Sequence, residues 1–322
     1  MKDPFGIAPR SRETSLGRAL DAPTSTEDFP GGAPFGPIVW AMDAFPKSEM
    51  SHFATAEALK VFFPDFLVHA VYVLPETAFA DKGYSNFLKP ALKPNARKAM
   101  QKLVKFAPGV RTGSKPHVLL DKTGKGPSCA GKLLNFAGRI GAACIALGCL
   151  PTKGGRLTRY FHTRFSDVVL KESPVPVLVT GPAIEATSRT NRVLVVPGDF
   201  AALGIPAHDL ALERKLASVL AFAGRLDCEV RFVDFSLRPS HDYWSRLLES
   251  SLVPASFVSQ IFRDRPLESI VDFVKAEIEE TQPLVAAFPG LLAQLDFQIH
   301  DLVRDCPCPV VLGPKYMERA NH

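Results

Sequence analysis

Short continuous runs of apolar residues recur along the chain, separated by segments with helical spacing. Continuous runs are typical of strands in a parallel sheet that is covered on both faces, whereas strands with one solvated face alternate. In the first half of the chain we expect strands at residues 38–43, 68–76, 116–121, 143–147 and 175–180.

Segments with apolar residues at helical spacing lie between these strands. In the first of them Phe53, Ala56, Leu59 and Phe63 form one apolar face, and Pro64 marks its end. We expect helices at residues 51–63, 95–106, 128–139 and 157–171. The alternation of strand and helix predicts an α/β fold with a doubly wound, five-stranded parallel sheet.

The same order of elements recurs in the second half. We expect strands at residues 193–200, 228–235, 284–288 and 308–314, and helices at 208–224, 243–252, 253–262 and 291–304. The pattern of residues 269–279 fits either a strand followed by a helix or a single helix.

A repeat is visible in the letters themselves. The segment SPVPVLVTGP at 173–182 corresponds to CPCPVVLGP at 306–314, each with Pro-x-Pro followed by branched residues and Gly-Pro. Two tandem copies of one α/β unit account for this better than one large Rossmann domain with a cap. We therefore predict a flexible N-terminal arm (1–36), a first domain (37–182), a linker (183–191) and a second domain (192–322).

Composition and charge narrow the class of protein. The chain has 322 residues, and 46% of them are hydrophobic. It has no apolar run long enough to cross a bilayer and no apolar signal-peptide core, so we expect a cytoplasmic location and no membrane association.

The net charge of +5 divides into +10 over residues 1–191 and −5 over 192–322. Residues 81–125 carry 11 basic and 2 acidic residues, but few aromatic residues lie among them, so we expect a solvated helix face rather than a nucleic-acid site.

The cysteines and histidines indicate no disulfide framework and no metal cluster. Six cysteines are scattered, and the pair Cys306 and Cys308 has no second pair or nearby histidine, so we expect buried free thiols rather than a zinc site. The chain lacks GxSxG, HExxH and GxxxxGK[ST], and its eight histidines are dispersed. A binding or regulatory protein is therefore a better prediction than an enzyme.

The segment from 143 to 182 contains the strongest functional signal. A buried strand is followed by a loop with glycine and lysine (Gly148 to Arg156) and then by a helix. In open α/β sheets, a glycine-rich loop at this position binds nucleotide phosphates, although many such turns carry glycine only for packing.

Several segments together resemble the universal stress protein family in a tandem two-domain form, a fold related to the adenine nucleotide alpha hydrolases. They are IVWAMD ending at Asp43, SCAGKLLNFAGRIGAACIALG ending at Gly148, and PVPVLVTGP ending at Pro182. The resemblance is clear over residues 37–182 and weak over 192–314. It implies a site for ATP or AMP, with Mg²⁺ accompanying ATP. The residues that it places there are Ala41, Met42, Asp43, Val73, Gly148, Lys153, Gly154, Thr163 and Arg164.

The chain departs from the family pattern in the phosphate loop Gly-x2-Gly-x9-Gly-Ser/Thr. Thr163 and Arg164 stand where that pattern has Gly-Ser, 15 residues after Gly148 and two further than the pattern requires. Pro151 removes one amide donor. In the second half Asp296 and Phe297 occupy the Gly-Ser position, so we expect a degenerate domain that binds no nucleotide.

Three functions stay open on the sequence. The first is a stress-response regulatory protein that binds adenine nucleotide in its first domain. The second is a nucleotide-free scaffold or dimerisation protein of the same fold, acting through unidentified protein partners. The third, least favoured, is a nucleotide hydrolase or transferase. The resemblance also implies either a homodimer or an intramolecular pseudo-dimer of the two halves.

Overall fold

A computed structural model describes residues 36–44, 50–75, 85–113, 115–123, 125–148, 165–181, 191–195, 228–234, 255–259, 267–288 and 306–313. The strands in these ranges are β1 (Ile38–Ala41), β2 (Val68–Pro75), β3 (His117–Asp121), β4 (Cys144–Gly148), β5 (Val177–Thr180), β6 (Arg192–Val195), β7 (Glu229–Asp234), β8 (Ala255–Ser259), β9 (Val285–Phe288) and β10 (Val310–Leu312). The helices are α1 (Met50–Phe62), α2 (Ser85–Lys105), α3 (Gly126–Arg139), α4 (helical over 165–172) and α5 (Leu267–Thr281).

The described strands form one ten-stranded sheet in the order β3-β2-β1-β4-β5-β10-β9-β6-β7-β8. Every neighbouring pair is parallel except β5 and β10, which are antiparallel. Outward from this junction the two halves have the same order, 5-4-1-2-3 and 10-9-6-7-8. The predicted α/β class with doubly wound, mainly parallel sheets is thus confirmed.

Helices cover both faces of the sheet, which explains why its strands are continuously apolar. On one face α1 and α2 contribute Leu59, Phe62 and Met100 to a core around Trp40. On the other face α3, α4 and α5 pack over the sheet through Leu133, Phe136, Val169, Leu170, Val274 and Ile278. This division follows from right-handed crossovers, because a chain that winds first to one side of β1 and then to the other places its helices on opposite faces.

The junction joins the two segments that repeat in the sequence. Val310 pairs with Val179, Val311 with Leu178, and Leu312 with Val177. A Pro-x-Pro turn precedes both strands, at residues 174–176 and 307–309. Most of the side chains of the pair are fully buried, so the antiparallel ladder lies inside the core of the protein.

The turn from helix α3 into β4 contains a glycine in the left-handed backbone conformation, which residues with a side chain rarely adopt. Gly141 has φ of +60°, and the amide of Ala142 donates to the carbonyl of Ala137 at 2.9 Å. Gly36 lies against this turn so closely that a Cβ atom would come within 1.7 Å of the Gly141 carbonyl oxygen. The chain therefore enters β1 across the start of β4 only because residue 36 lacks a side chain.

Two ion pairs join elements in the second half. The guanidinium of Arg231 on β7 contacts the carboxylate of Glu277 on α5 at 3.0 and 3.1 Å, and both side chains are largely buried. Arg192 and Glu229 pair at 2.8 Å across the neighbouring strands β6 and β7. The Arg231 pair fixes α5 over the sheet, whereas the more exposed Arg192 pair contributes less.

Two predictions of secondary structure need correction, and one alternative that the sequence left open is decided. The helix predicted at 253–262 is wrong, because Ala255–Ser259 is a strand that pairs with β7. Helix α2 begins at Ser85, ten residues before the predicted start, and continues through Pro90 and Pro94. The ambiguous segment 269–279 lies within the single helix α5. The predicted helix 157–171 is described only from residue 165.

Other predictions fall outside the described residues: the arm up to 35, the linker up to 190, and the helices at 208–224, 243–252 and 291–304. Within the described ranges, no helix is long and apolar enough to cross a membrane. Lys93, Lys98, Lys102 and Lys105 are exposed along α2, as expected for a solvated helix face.

We predict that truncation of the junction core destabilises the protein far more than truncation of the sheet edge. Leu178 on β5 is fully buried, so Leu178→Ala should lower the free energy of unfolding by about 2–5 kcal/mol. Leu120 on β3 is 40% exposed, and Leu120→Ala should cost less than about 1 kcal/mol. Urea denaturation of both variants checks this, and equal losses would contradict the burial described for the junction.

Candidate functional site

The first half of the sheet has its topological switch point between β1 and β4. From β1 the chain continues to β2 on one side, and after β3 it returns to β4 on the other side. Helices α1 and α4, which follow β1 and β4, therefore lie on opposite faces of the sheet. In open α/β sheets, ligands bind in the crevice outside the carboxyl ends of the strands at such a point.

Three of the residues predicted for the site lie side by side at this edge. Ala41 pairs with Val71 on β2 and with Leu147 on β4. Continued beyond Ala41, this register brings Asp43 level with Val73, while Gly148 lies one residue lower on β4. Asp43, Val73 and Gly148 are all half-buried. The structure therefore brings these three residues together on adjacent strands.

Backbone pairing continues past the end of β1 and fixes the position of Asp43. The amide of Met42 donates to the carbonyl of Val71 at 2.8 Å, and the Met42 side chain is only 5% exposed. Ala41 and Met42 thus anchor the segment, and Asp43 follows directly after the paired amide of Met42.

A pair of buried hydroxyls closes the side of the crevice at β5. Thr55 on α1 and Thr180 on β5 are both fully buried, and their Oγ1 atoms lie 2.6 Å apart. The Thr180 hydroxyl also lies within hydrogen-bond distance of the carbonyl of Leu147, at 3.3 Å. Because Thr180 pairs with Gly148, this contact attaches α1 directly beside the glycine. The sequence analysis did not identify either threonine.

A second polar cluster, also absent from the sequence predictions, lies at the end of β3. The Asp121 carboxylate is 1% exposed and accepts hydrogen bonds from the amide and hydroxyl of Thr123, at 3.1 and 2.8 Å, and from the hydroxyl of Ser128 at 2.6 Å. Ser128 lies in the first turn of α3, where a carboxylate also interacts favourably with the helix dipole. The signal in the sequence was Asp-Lys-Thr after a strand, which is typical of a side-chain turn.

Burial and negative charge keep two groups near this edge protonated. Burial raises the pKa of Tyr72 well above its usual range, and the nearby Asp43 and Cys129 raise it further. Burial also raises the pKa of the Cys129 thiol to about 12, and the charge of Asp121 and a hydrogen bond to it add to the effect. Neither group is therefore an ionised nucleophile or base at neutral pH.

The remaining predicted site residues, Lys153, Gly154, Thr163 and Arg164, lie outside the described residues. The structure thus places the part of the site formed by strand ends, and the predicted phosphate loop stays a prediction. In the described part of the chain, no group of three or more His, Cys, Asp or Glu side chains could hold a metal ion. All five described cysteines are free and buried.

The strand order defines a doubly wound α/β protein. No family model matches the chain. Nor does any curated protein match it. Solved structures do match, 42 chains in all, and one is a universal stress protein from Archaeoglobus fulgidus DSM 4304. It is 13% identical, with a TM-score of 0.54, and the match covers 87% of this chain and 96% of that chain. At this identity the likeness shows the fold alone, which is like that of a universal stress protein.

We predict that Asp121→Asn destabilises the protein, because an amide NH₂ would face donors that now bind a carboxylate. Removing a charged acceptor from a buried cluster should cost about 1.5–3 kcal/mol. Asp65→Asn is the matched control, since Asp65 is exposed, and it should change the free energy of unfolding by less than about 0.5 kcal/mol. Chemical denaturation distinguishes the two. A neutral Asp121→Asn would show that the cluster is not formed.

We also predict that Cys129 resists alkylation in the native protein. With a pKa of about 12, only about one thiol in 10,000 is ionised at pH 8, and the thiolate is the reactive form. Labelling with iodoacetamide, followed by peptide mass spectrometry, should modify Cys129 more than a hundredfold faster after unfolding in urea. Equal rates in the native and unfolded states would contradict the burial and charge environment described.

Proposed function

We propose that this chain is a regulatory protein of universal stress protein type whose first half binds an adenine nucleotide at the carboxyl edge of β1 and β4. The observation that carries the proposal is the strand register, which brings Asp43, just past the end of β1, beside Val73 within β2 and near Gly148 at the end of β4. The fold likeness to a universal stress protein structure supports the same class of protein.

Each of the three residues has a chemical role that suits this ligand. The Asp43 carboxylate accepts hydrogen bonds from a ribose hydroxyl or an adenine amino group. Val73 offers an apolar side chain and strand-end backbone groups against the base. Gly148 lets the chain leave β4 without a side chain over the crevice, where the following loop would approach the phosphates. Lys153 and Arg164 would supply positive charge, and Mg²⁺ would enter with ATP.

A pairing of the two halves within one chain is the second part of the proposal. The antiparallel β5–β10 ladder joins two five-stranded units of the same strand order. We propose that this is an intramolecular pseudo-dimer of a nucleotide-binding first domain and a degenerate second domain. In the cytoplasm such a protein would act through ligand-dependent contacts with protein partners rather than by catalysis.

One observation favours the nucleotide-free scaffold instead. Two grooves formed by described residues lie on helical surfaces away from the edge. One lies between α1 and α2 around Trp40 and Phe106, and the other lies beside α3 and α4 around Asn135 and Glu172. If the carboxyl edge binds no nucleotide, these surfaces and the joined sheet are what the protein offers to partners.

The proposal predicts that ATP or AMP stabilises the full chain and that substitutions at the crevice remove the effect. A ligand that binds only the native state raises the melting temperature, and the stabilisation grows with the logarithm of the ligand concentration once that concentration exceeds the Kd. Asp43→Ala and Gly148→Val should each weaken binding at least about tenfold, which corresponds to about 1.4 kcal/mol. Isothermal titration calorimetry with and without Mg²⁺, together with thermal shift, measures this.

Matched controls separate loss of the site from loss of the fold. Asp65→Ala removes an exposed carboxylate at the opposite rim, and Gly138→Val adds a side chain where α3 has open space. Both should bind nucleotide like the unaltered protein. If the unaltered protein shows neither heat nor thermal shift at millimolar ATP or AMP, the nucleotide proposal fails and the scaffold function takes its place. Turnover of ATP lost in the same variants would instead favour the hydrolase.

A further inference from the structure

Two histidines meet at the amino-terminal rim of the first half, opposite the candidate nucleotide site. His69 is the second residue of β2 and His117 the first of β3. Val71 pairs with His117, and alternate side chains of a strand share a face, so both imidazoles project to the same side of the sheet. His69 Nδ1 lies 3.1 Å from His117 Nε2, and both side chains are half-buried.

The surroundings hold both rings in place. The ring of Phe136 on α3 lies 4.8 Å from the His117 ring and 6.3 Å from the His69 ring, which gives the pair an apolar wall. On the other side, the backbone amide of Gly113 donates a hydrogen bond to the carbonyl of Val68, at 3.0 Å, and this holds Gly113 in place. Gly113 has no side chain, and even a Cβ atom there would lie 3.7 Å from His69 Nδ1. Gly113 thus lies beside that nitrogen without a side chain that would cover it.

The nitrogen separation matches that of two neighbouring ligands of one transition-metal ion. Histidine nitrogens bind Zn²⁺ at about 2.0–2.1 Å. An ion at that distance from both nitrogens, 3.1 Å apart, would subtend an angle of about 98° between them. This lies between the angles of about 90° and about 109° for octahedral and tetrahedral coordination. No rearrangement of the strands is needed to reach it.

We propose that His69 and His117 form a two-histidine site for a late first-row divalent metal ion such as Zn²⁺ or Cu²⁺, with water in the remaining coordination positions. Metal binding requires the lone pairs of His69 Nδ1 and His117 Nε2. In the metal-bound form the N–H of each ring therefore sits on its other nitrogen, and the ring that donates in the metal-free pair changes its tautomer. Each neutral imidazole keeps its one proton, and the N–H···N hydrogen bond between the rings is exchanged for two metal–nitrogen bonds.

Charge in the neighbourhood acts in both directions. Burial lowers the pKa of His69, and burial, His69 and Arg97 lower the pKa of His117, so both rings are neutral ligands at neutral pH. The guanidinium groups of Arg97 and of Arg139, which lies 6.0 Å from the Phe136 ring, repel a dication. A bound ion would therefore keep open coordination positions, and an anion as its third ligand should strengthen binding.

The test is metal binding by the full chain without an affinity tag. Isothermal titration with Zn²⁺ and Cu²⁺ should show one equivalent bound, with Cu²⁺ tighter than Zn²⁺ as the Irving–Williams order requires. His69→Gln and His117→Gln should each weaken binding at least about tenfold. His52→Gln should leave it unchanged, because His52 packs against Trp40 on the other face of the sheet.

A measurement on the unaltered protein guards against variants that fold poorly. The electron paramagnetic resonance spectrum of the one-equivalent Cu²⁺ complex should show coupling to two imidazole nitrogens. Absence of a saturable equivalent, retention of binding in both His→Gln variants, or a spectrum without two imidazole ligands would each overturn the proposal. The pair would then be an ordinary hydrogen bond between two neutral histidines. None of these outcomes depends on whether the opposite rim binds nucleotide.

Discussion

The antiparallel ladder between β5 and β10 is the contact on which the ten-stranded sheet depends. Either five-stranded half alone would expose a hydrogen-bonding edge at a buried, mainly apolar strand, and such an edge invites pairing with other chains. In this protein each half covers the edge of the other, and residues that would otherwise face solvent become the centre of the molecule. A short Pro-x-Pro turn precedes each of the two strands, and the turn before β5 follows directly on the end of α4.

The same ladder fixes where sites can lie. Because β5 and β10 run in opposite directions, all strands of the first half point to one rim of the sheet and all strands of the second half point to the other. The carboxyl edge with Asp43 and Gly148 therefore shares a rim with the amino ends of the second half. The histidine pair lies on the opposite rim, where the second-half strands end. The two proposed sites thus lie at opposite ends of the strands of the first half.

Much of this architecture was predictable because burial on both faces leaves a simple mark in the sequence. Continuous apolar runs located the strands that are covered by helices, and the repeated Pro-x-Pro segments identified the two junction strands. The pattern failed at 255–259, where ASFVS looks equally apolar on a helix, and pairing with β7 decided the outcome. It also failed at α2, where tertiary packing of Ala96 and Met100 supports a helix that Pro90 and Pro94 seemed to exclude.

The candidate sites were predictable only in part. Asp43, Val73 and Gly148 follow from strand ends that a linear pattern can locate. The contacts of Thr55 with Thr180 and of His69 with His117 join residues 125 and 48 positions apart, and no spacing rule connects them. Such pairs depend on strand register, which is set by the whole sheet rather than by local sequence.

Joining the halves in one polypeptide also changes how the junction can evolve. In an assembly of identical subunits, every substitution at a two-fold contact appears on both sides at once. Here Val310 and its partner Val179 are encoded separately, so either can mutate while the other is retained. Covalent linkage thus releases the halves from enforced symmetry, and each is free to acquire or lose chemistry on its own rim.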